Sequence, residues 1–120
     1  MSATQNTMLG RRGEQQACDL LVAGGQTILE RNWRSGHREL DLITLDAAGV
    51  HFVEVKDRTD ENFLAGSVDA RKQRNMVSAA RHYLASHAAL REMEAFFDVV
   101  LIVDGRQPEY YPQAFIPYFV

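Results

Sequence analysis

The sequence contains very little cysteine, and this scarcity limits the stabilisation and chemistry available to the protein. The single cysteine, Cys18, has no partner for an internal disulfide, and residues 1–12 (MSATQNTMLGRR) lack the apolar run of a signal peptide. No apolar stretch approaches the roughly 20 residues that are needed to cross a bilayer. We therefore expect a cytoplasmic protein that does not span a membrane.

Several catalytic and metal-binding motifs are also missing from the sequence. The four histidines do not have the spacing of zinc ligands, and only one cysteine is available to assist them. There is no glycine-rich phosphate-binding loop and no G-x-S-x-G motif. Structural zinc, nucleotide hydrolysis and serine esterase chemistry are therefore poor interpretations.

The chain lacks an excess of positive charge. Its formal net charge is −3, which argues against a strongly basic protein that binds nucleic acid by electrostatic attraction alone. Basic and acidic residues balance over residues 1–82, however, and the whole acidic excess lies in residues 83–120. We expect any nucleic-acid-binding surface to lie on the earlier part of the chain.

The 120 residues, of which 46% are hydrophobic, are enough for one globular core. We predict a flexible N-terminus over residues 1–10 and a single domain over residues 11–120. Periodicity and turn residues predict an α/β fold with the order α-β-β-β-α-β-β. The elements are a helix over 13–23 that ends at Gly24-Gly25, strands over 27–33, 39–45 and 50–56, a helix from Ser67 to about 87, and strands over 96–103 and 109–115.

Two neighbouring segments, 39–45 (ELDLITL) and 50–56 (VHFVEVK), are rich in strand-forming residues and flank the turn Asp46-Ala47-Ala48-Gly49. This pattern predicts a β-hairpin. Because strand side chains alternate, pairing that is symmetric about the turn brings one set of residues to a single face of the sheet. The predicted pairs are Leu45 with Val50, Ile43 with Phe52, Asp41 with Glu54, and Glu39 with Lys56.

Two acidic side chains, Asp41 and Glu54, are thereby predicted to lie opposite each other. Opposed residues have Cβ atoms roughly 4.5–5.5 Å apart, and like charges placed so are destabilising. A shared divalent cation removes the repulsion, since Mg²⁺ is typically held by one or two carboxylates together with water and phosphate oxygens. Lys56 would lie beside such a metal, where it could position an attacking water, favour its deprotonation or stabilise the phosphate.

A solvated ladder of ion pairs is the alternative interpretation of these charged residues, with Glu39 pairing with Lys56. The placement of the charges within apolar segments favours a metal site. The residues that alternate with the charged ones, Leu40, Leu42, Val53 and Val55, are apolar. They predict a hairpin that is central in the sheet and whose other face is also covered.

Asp41 followed by Glu54-Val55-Lys56 on the next strand resembles the signature of the PD-(D/E)XK nuclease-like superfamily. Residues 9–104 are more specifically similar to the YraN-like family of small bacterial proteins, which is related to archaeal Holliday-junction resolvases. The resemblance implies a single-domain restriction-endonuclease-like fold with a central mixed β-sheet flanked by helices. The segments that carry it are LGRRGEQQA, ERNWR, RELDLI, FVEVKDR, RKQRNMVSAARHYLA and FFDVVLIV.

The resemblance also implies roles for individual residues. Asp41 and Glu54 would bind Mg²⁺ or Mn²⁺, Lys56 would be the catalytic lysine, and Glu14 of the first helix would add a further carboxylate. A carboxylate that is stabilised by the helix dipole is the alternative interpretation of Glu14. Arg38 stands where the family usually has glycine.

Basic and amide side chains around the hairpin and on the following helix are candidates for contact with nucleic acid. Such groups bind phosphates, but they are equally typical of a solvated helix face or a polar loop. Relatives in the superfamily sometimes place a glutamine or lysine of this helix at the site. The candidates are Arg34, Arg38, Arg58, Lys72 and Gln73.

Two functions are consistent with these features. The first is a metal-dependent endonuclease that hydrolyses phosphodiester bonds in DNA or RNA, including branched structures. The second is a non-catalytic module of the same fold that binds nucleic acid or another protein. The sequence does not distinguish DNA from RNA, and the resemblance to junction-acting proteins, which pair as dimers, implies a homodimer.

Overall fold

A computed structural model describes residues 3–57 and 68–117, including the side chains from Arg12 onward. One five-stranded sheet has the order β1-β2-β3-β4-β5, and its neighbours are antiparallel except for β3 and β4. The predicted mixed α/β fold is confirmed, with one additional short helix. The elements are α1 (Ala3–Ala23), β1 (Thr27–Ser35), β2 (Arg38–Leu45), β3 (Val50–Asp57), α2 (Ala70–Ala85), α3 (Ala88–Arg91), β4 (Ala95–Ile102) and β5 (Glu109–Phe115).

Helix α1 starts earlier than predicted but ends where the sequence predicts. It begins at Ala3 rather than Gly13, so residues 3–10 are helical. At the other end Gly25 adopts a φ of +96°, and the N–H of Gln26 donates to the Leu21 carbonyl at 3.0 Å. This is the hydrogen-bond pattern of a Schellman motif, in which glycine tolerates the left-handed conformation.

Helix α2 connects β3 to β4 and allows these two strands to run parallel. The Asp69 side chain accepts the N–H of Lys72 at 2.8 Å, so Asp69 caps the helix. The predicted cap, Ser67, lies outside the described residues. The predicted core-facing residues of this helix are buried or pack against the core: Met76, Val77, Ala80, Tyr83 and Leu84.

A helix covers each face of the sheet. On one face, α1 contributes Ala17, Cys18 and Leu21 to a cluster with Leu42, Val53 and Val100. On the other face, α2 packs on a larger cluster that includes Ile43, Val50, Phe52 and Val99. No helix in the described ranges is long and apolar enough to span a membrane.

Two of the predicted pairs of the β2–β3 hairpin, Leu45 with Val50 and Ile43 with Phe52, are confirmed. The ladder ends at Leu42 opposite Val53, so it does not reach the predicted pairs Asp41 with Glu54 and Glu39 with Lys56. Because the side-chain period of a strand is two, this register decides which residues reach each helix.

The hairpin turn is closed by a carboxylate and a glycine. The Asp46 side chain accepts the N–H groups of Ala48 and Gly49 at 3.0 and 3.2 Å. Gly49 has a φ of +154°, and a Cβ atom there would lie 2.2 Å from the Glu94 carbonyl oxygen. Only glycine therefore fits this position.

The prediction that Leu40 and Leu42 lie on the same face of β2 is wrong. Leu40 packs in the same cluster as Ile43, three residues later, although strict alternation would place the two on opposite faces. Leu42 lies in the other cluster, as predicted. The alternation is therefore broken at Asp41, whose side chain bonds to the backbone of β3.

A buried polar cluster ties β3 to its neighbours on the face covered by α1. The His51 ring lies 2.7 Å from Asp98 Oδ2 and 2.9 Å from Asp46 Oδ1. Asp98, which is fully buried, also accepts hydrogen bonds from the Tyr110 hydroxyl and the Gln113 N–H. Burial works to lower the pKa of His51, but the two carboxylates outweigh it and raise the pKa above its usual value. The hydrogen bonds of this cluster therefore join β3 to β4, to β5 and to the hairpin turn.

Candidate active site

Asp41 lies where the pairing of β2 with β3 ends. Its Oδ2 atom accepts the backbone N–H of Val55 at 2.8 Å, which fixes the carboxylate against the neighbouring strand. The Asp41 carboxyl group is also close enough to Glu54 for its charge to raise the pKa of Glu54. The two carboxyl groups therefore interact at the end of the hairpin, although they are not a pair of the ladder.

Burial of this acidic pair raises the pKa of both carboxyl groups. Burial raises the pKa of Asp41, and the hydrogen bond from Val55 and the charge of Lys72 only partly oppose this. Burial and the neighbouring Asp41 raise the pKa of Glu54 to about 8. Glu54 therefore retains its proton at neutral pH, because two adjacent carboxylates cannot both ionise without further positive charge.

Lys72 of α2 brings a positive charge to the pair. Its Nζ atom lies 3.3 Å from Glu54 Oε2, and its side chain is 30% exposed. Burial works to lower the pKa of Lys72, but Glu54 and Asp41 outweigh it and raise the pKa. The sequence predicts Lys72 only as a phosphate contact on a helix surface. One signal in the sequence indicates its position, since Lys72 precedes the buried Met76 by one helical turn.

Lys56 follows Glu54 on the same strand, two residues later. Side-chain alternation places both on one face of β3, and the charge of Lys56 lowers the pKa of Glu54 against the larger effect of burial. Strand β3 lies between β2 and β4, where Lys56 is paired with Leu101. The central position of the strand fixes the backbone from which Lys56 projects.

Glu14 extends from α1 toward β1. Its Oε2 atom accepts a hydrogen bond from Asn32 Nδ2 at 2.7 Å, and its charge raises the pKa of Asp41. Asn32 has a φ of +53°, a conformation that asparagine tolerates better than most residues. Gly13 lies against the sheet, since a Cβ atom there would be 3.4 Å from Ile102. Glu14 therefore bonds to β1, and among the described residues it does not form a group of three metal-binding carboxylates with Asp41 and Glu54.

The donor set suits a hard divalent cation. No group of three or more His, Cys, Asp or Glu residues is arranged to hold a metal among residues 12–57 and 68–117. Mg²⁺ does not require such a group, because it commonly uses one or two carboxylates and completes its shell with water and phosphate oxygens. Asp41 and Glu54 supply two adjacent oxygen ligands whose repulsion is balanced by a proton and by Lys72. A divalent cation would satisfy the same electrostatic need.

Two further predicted nucleic-acid contacts, Arg34 and Gln73, bond to other groups. Arg34 is exposed, and its Nη2 atom lies 3.5 Å from the carboxylate of Glu39, for which the sequence predicts a pair with Lys56. Gln73 donates to the Val68 carbonyl at 2.8 Å, so its amide supports the start of α2. Arg58 lies outside the described residues.

Arg38 reaches from the start of β2 to α2. Its Nε atom donates to Ser78 Oγ at 3.2 Å, and the side chain is exposed to solvent. The substitution at the usual glycine position thus adds a cation beside α2.

The mixed sheet, the crossover helix and the acidic hairpin define a protein of the restriction-endonuclease-like class. The solved structure of Hjc, a Holliday junction resolvase from Archaeoglobus fulgidus, superposes with a TM-score of 0.52 at 19% sequence identity. The match covers 84% of this chain and 73% of that chain. At this identity the likeness shows the fold.

The chain belongs to the uncharacterised protein family UPF0102, whose model matches residues 13–102. A UPF0102 protein of Dechloromonas aromatica is 40% identical over 111 residues, which cover 91% of this chain and 89% of the relative. Another from Pseudomonas putida KT2440 is 40% identical over 104 residues, covering 85% and 84%. A third from Nitrosomonas eutropha is 39% identical over 117 residues, covering 96% and 97%. The predicted YraN-like membership is thereby confirmed.

Proposed function

We propose that the protein is a Mg²⁺- or Mn²⁺-dependent nuclease that hydrolyses phosphodiester bonds at the Asp41–Glu54 pair. The observation that carries the proposal is the electrostatic interaction of these two half-buried carboxyl groups, with Lys72 3.3 Å from Glu54. The fold shared with a Holliday junction resolvase supports it. Adjacent carboxyl groups whose pKa values are raised are common at functional sites, which supports a functional role for this pair.

Asp41 and Glu54 would hold the metal ion. A divalent cation bound there supplies Lewis-acid activation of water and neutralises charge on the phosphate. The hydrogen bond from Val55 holds the Asp41 carboxylate in one orientation before any ligand arrives. Such preorganisation avoids rearrangement during the reaction.

The two lysines would act on the phosphate and on the attacking water. Lys56 projects from the same face of β3 as Glu54, where its ammonium can orient the water and stabilise the charge that develops on the phosphate. Lys72 approaches from α2 and can bind a non-bridging phosphate oxygen. The two ammonium groups thus come from different elements.

Glu14 would complete the acidic cluster from α1. Its bond to Asn32 holds its carboxylate close enough for its charge to raise the pKa of Asp41. A carboxylate placed there can bind a metal through water or accept a proton from water. The substrate is DNA or RNA, and branched structures are the first to test because a resolvase shares the fold.

We also propose that the protein acts as a homodimer, as junction-acting relatives do. The C-terminal edge strand β5 is followed by Ile116, which is 70% exposed. An exposed apolar residue beside an unpaired sheet edge suits a protein contact. Sedimentation equilibrium of the wild type and of Ile116→Glu tests this, because a monomeric wild type would refute it.

Cleavage assays test the proposed activity. Linear, flapped and four-way DNA and RNA substrates are incubated with Mg²⁺ or Mn²⁺, and with EDTA as the metal-free control. We expect metal-dependent cleavage of at least one substrate and a loss of about 100-fold or more in Lys56→Ala. Arg91→Ala, which changes an exposed residue of α3, is the matched control. Salt-sensitive binding without cleavage would instead identify a non-catalytic nucleic-acid-binding module.

A further inference from the structure

An open groove runs between the start of β2 and the exposed side of α2. Its volume is about 440 Å³. Six residues line it: Arg38, Arg74, Val77, Ser78, Arg81 and His82. None of these six residues is acidic, and three of them carry a permanent positive charge. This concentration of cations is unexpected on a chain whose net charge is −3.

Hydrogen bonds hold two of the lining side chains in place. Arg38 Nε donates to Ser78 Oγ at 3.2 Å, which leaves the terminal nitrogens of the guanidinium available to a ligand. His82 Nε2 lies 2.8 Å from Ser35 Oγ, and its ring lies 6.0 Å from the Trp33 ring. These hydrogen bonds therefore fix part of the groove before a ligand binds.

The groove and the acidic pair share two elements. Lys72, which contacts Glu54, lies two residues before Arg74 on α2, and Arg38 lies three residues before Asp41 on β2. The groove therefore lies next to the elements that carry the proposed site. A strand whose phosphate is bound at Asp41 and Glu54 would carry its neighbouring phosphates along α2.

The spacing of the cations suits a polyphosphate chain. Arg74 and Arg81 are seven residues apart on one helix, which corresponds to about 10 Å at a rise of 1.5 Å per residue. A nucleic-acid strand carries a charge about every 3.4 Å along its axis, so about three successive phosphate-to-phosphate steps span that distance. The lining contains no aromatic ring for base stacking apart from the histidine, which suits contact with the backbone.

We infer that this groove, named here the α2 groove, binds the phosphates next to the cleaved bond of a nucleic-acid strand. The position of the bond rests on the proposed function, whereas phosphate binding itself does not require catalysis. Contacts with phosphates alone position a strand without reading its sequence. The groove therefore serves sequence-independent binding.

Binding measured in EDTA tests the inference without cleavage. Fluorescence anisotropy is recorded for a labelled duplex and a four-way junction over a range of salt concentrations. We expect the double variant Arg74→Gln/Arg81→Gln to bind about 10-fold or more weakly at low salt and to reduce the slope of log K against log salt by about 1–2. Arg91→Gln, which changes an exposed residue of α3, should match the wild type. Equal slopes and affinities in the wild type and the double variant would overturn the inference, as would a wild type that binds neither substrate.

Uncharged phosphate analogues separate a direct contact from an indirect effect on the fold. Single methylphosphonates are placed at successive positions of one strand. A methylphosphonate at two or three neighbouring positions should weaken binding by the wild type. At the same positions it should not weaken binding by the double variant any further. Equal losses in both proteins would place those phosphates elsewhere and overturn the inference.

Two further outcomes are separable from failure of the nuclease proposal. If no substrate is cleaved but the double variant still lowers the salt slope, the groove stands and the catalytic proposal falls. If vesicles containing phosphatidylserine bind through Arg74 and Arg81 while nucleic acid does not, the groove serves a membrane surface and the inference is wrong.

Discussion

Lys72 Nζ lies 3.3 Å from Glu54 Oε2, and this contact joins the crossover helix to the acidic pair of the hairpin. Although burial works to lower the pKa of Lys72, the charges of Glu54 and Asp41 raise it, so Lys72 is a cation that offsets part of their charge. A divalent cation at the pair would take over this role. Metal binding and stability are therefore linked through one ion pair.

Replacing Lys72 should expose this link. We expect Lys72→Met to lower the free energy of unfolding by about 2 kcal/mol at about pH 9 without metal, because Glu54 loses its cation. Mg²⁺ should raise the Tm of the variant more than that of the wild type. Arg71→Met, an exposed neighbour on the same helix, is the control. Equal Mg²⁺-induced shifts in all three proteins would contradict the link.

The pH dependence of stability should report the proton on Glu54. The folded protein keeps this proton up to its pKa of about 8, whereas the unfolded chain releases it near 4.5. The stability it contributes is therefore present below the unfolded pKa and is lost as the pH rises through the folded pKa. Between about pH 5.5 and 8.5 in EDTA, we expect the wild type to lose about 2–3 kcal/mol more than Glu54→Gln.

Urea unfolding at the two pH values measures this difference. Glu39→Gln removes an exposed carboxylate from the same hairpin and should keep the wild-type pH profile. Parallel profiles for the wild type and Glu54→Gln would show that Glu54 is ionised in the folded protein.

The His51–Asp98 ion pair should contribute to stability independently of the candidate site. The His51 ring stacks on Phe96 with centroids 4.8 Å apart, so His51→Phe retains an aromatic ring but removes the imidazolium. We expect a loss of about 3 kcal/mol, because the fully buried Asp98 is left without its cation. Adding Asp98→Asn to His51→Phe should recover part of the lost stability. A loss under about 1 kcal/mol in urea unfolding would argue against a charged pair.

Gly49 should be intolerant of any side chain. A Cβ atom there would lie 2.2 Å from the Glu94 carbonyl oxygen, which accepts the N–H of Val50 and so cannot withdraw freely. We expect Gly49→Ala to cost about 3 kcal/mol. Gly105→Ala is the matched control, because Gly105 also has a positive φ but a Cβ atom there would have no neighbour within 4 Å, and it should cost about 1 kcal/mol. Similar losses of stability for Gly49→Ala and Gly105→Ala in thermal unfolding would argue against a clash with the Glu94 carbonyl.

The hairpin register could be predicted from the sequence because two local rules determine it. The Asp46–Gly49 turn fixes where the strands reverse, and the period of two then assigns the residues as far as Leu42 and Val53 to a face. The end of α1 was predictable for a similar reason, since Gly24-Gly25 interrupts the helix locally. Its start was not, because residues 3–10 carry no apolar stripe in the sequence.

Tertiary contacts explain what the sequence could not predict. The faces of Leu40 and Asp41 depend on a side-chain bond to Val55, which a pattern of alternating residues does not contain. The partner of His51 lies 47 residues away on β4. Lys72 reaches Glu54 because of the way α2 packs on the sheet, which no recognisable sequence pattern before the helix encodes.

The most direct test of the central claim, that Asp41 and Glu54 form a divalent-cation site, is calorimetric titration with Mn²⁺ at about pH 8.5, just above the Glu54 pKa of about 8. We predict one Mn²⁺ site per chain in the wild type, abolished in Asp41→Asn and in Glu54→Gln and retained in Glu39→Gln. Absence of binding to the wild type, or unchanged binding in both Asp41→Asn and Glu54→Gln, would contradict the claim.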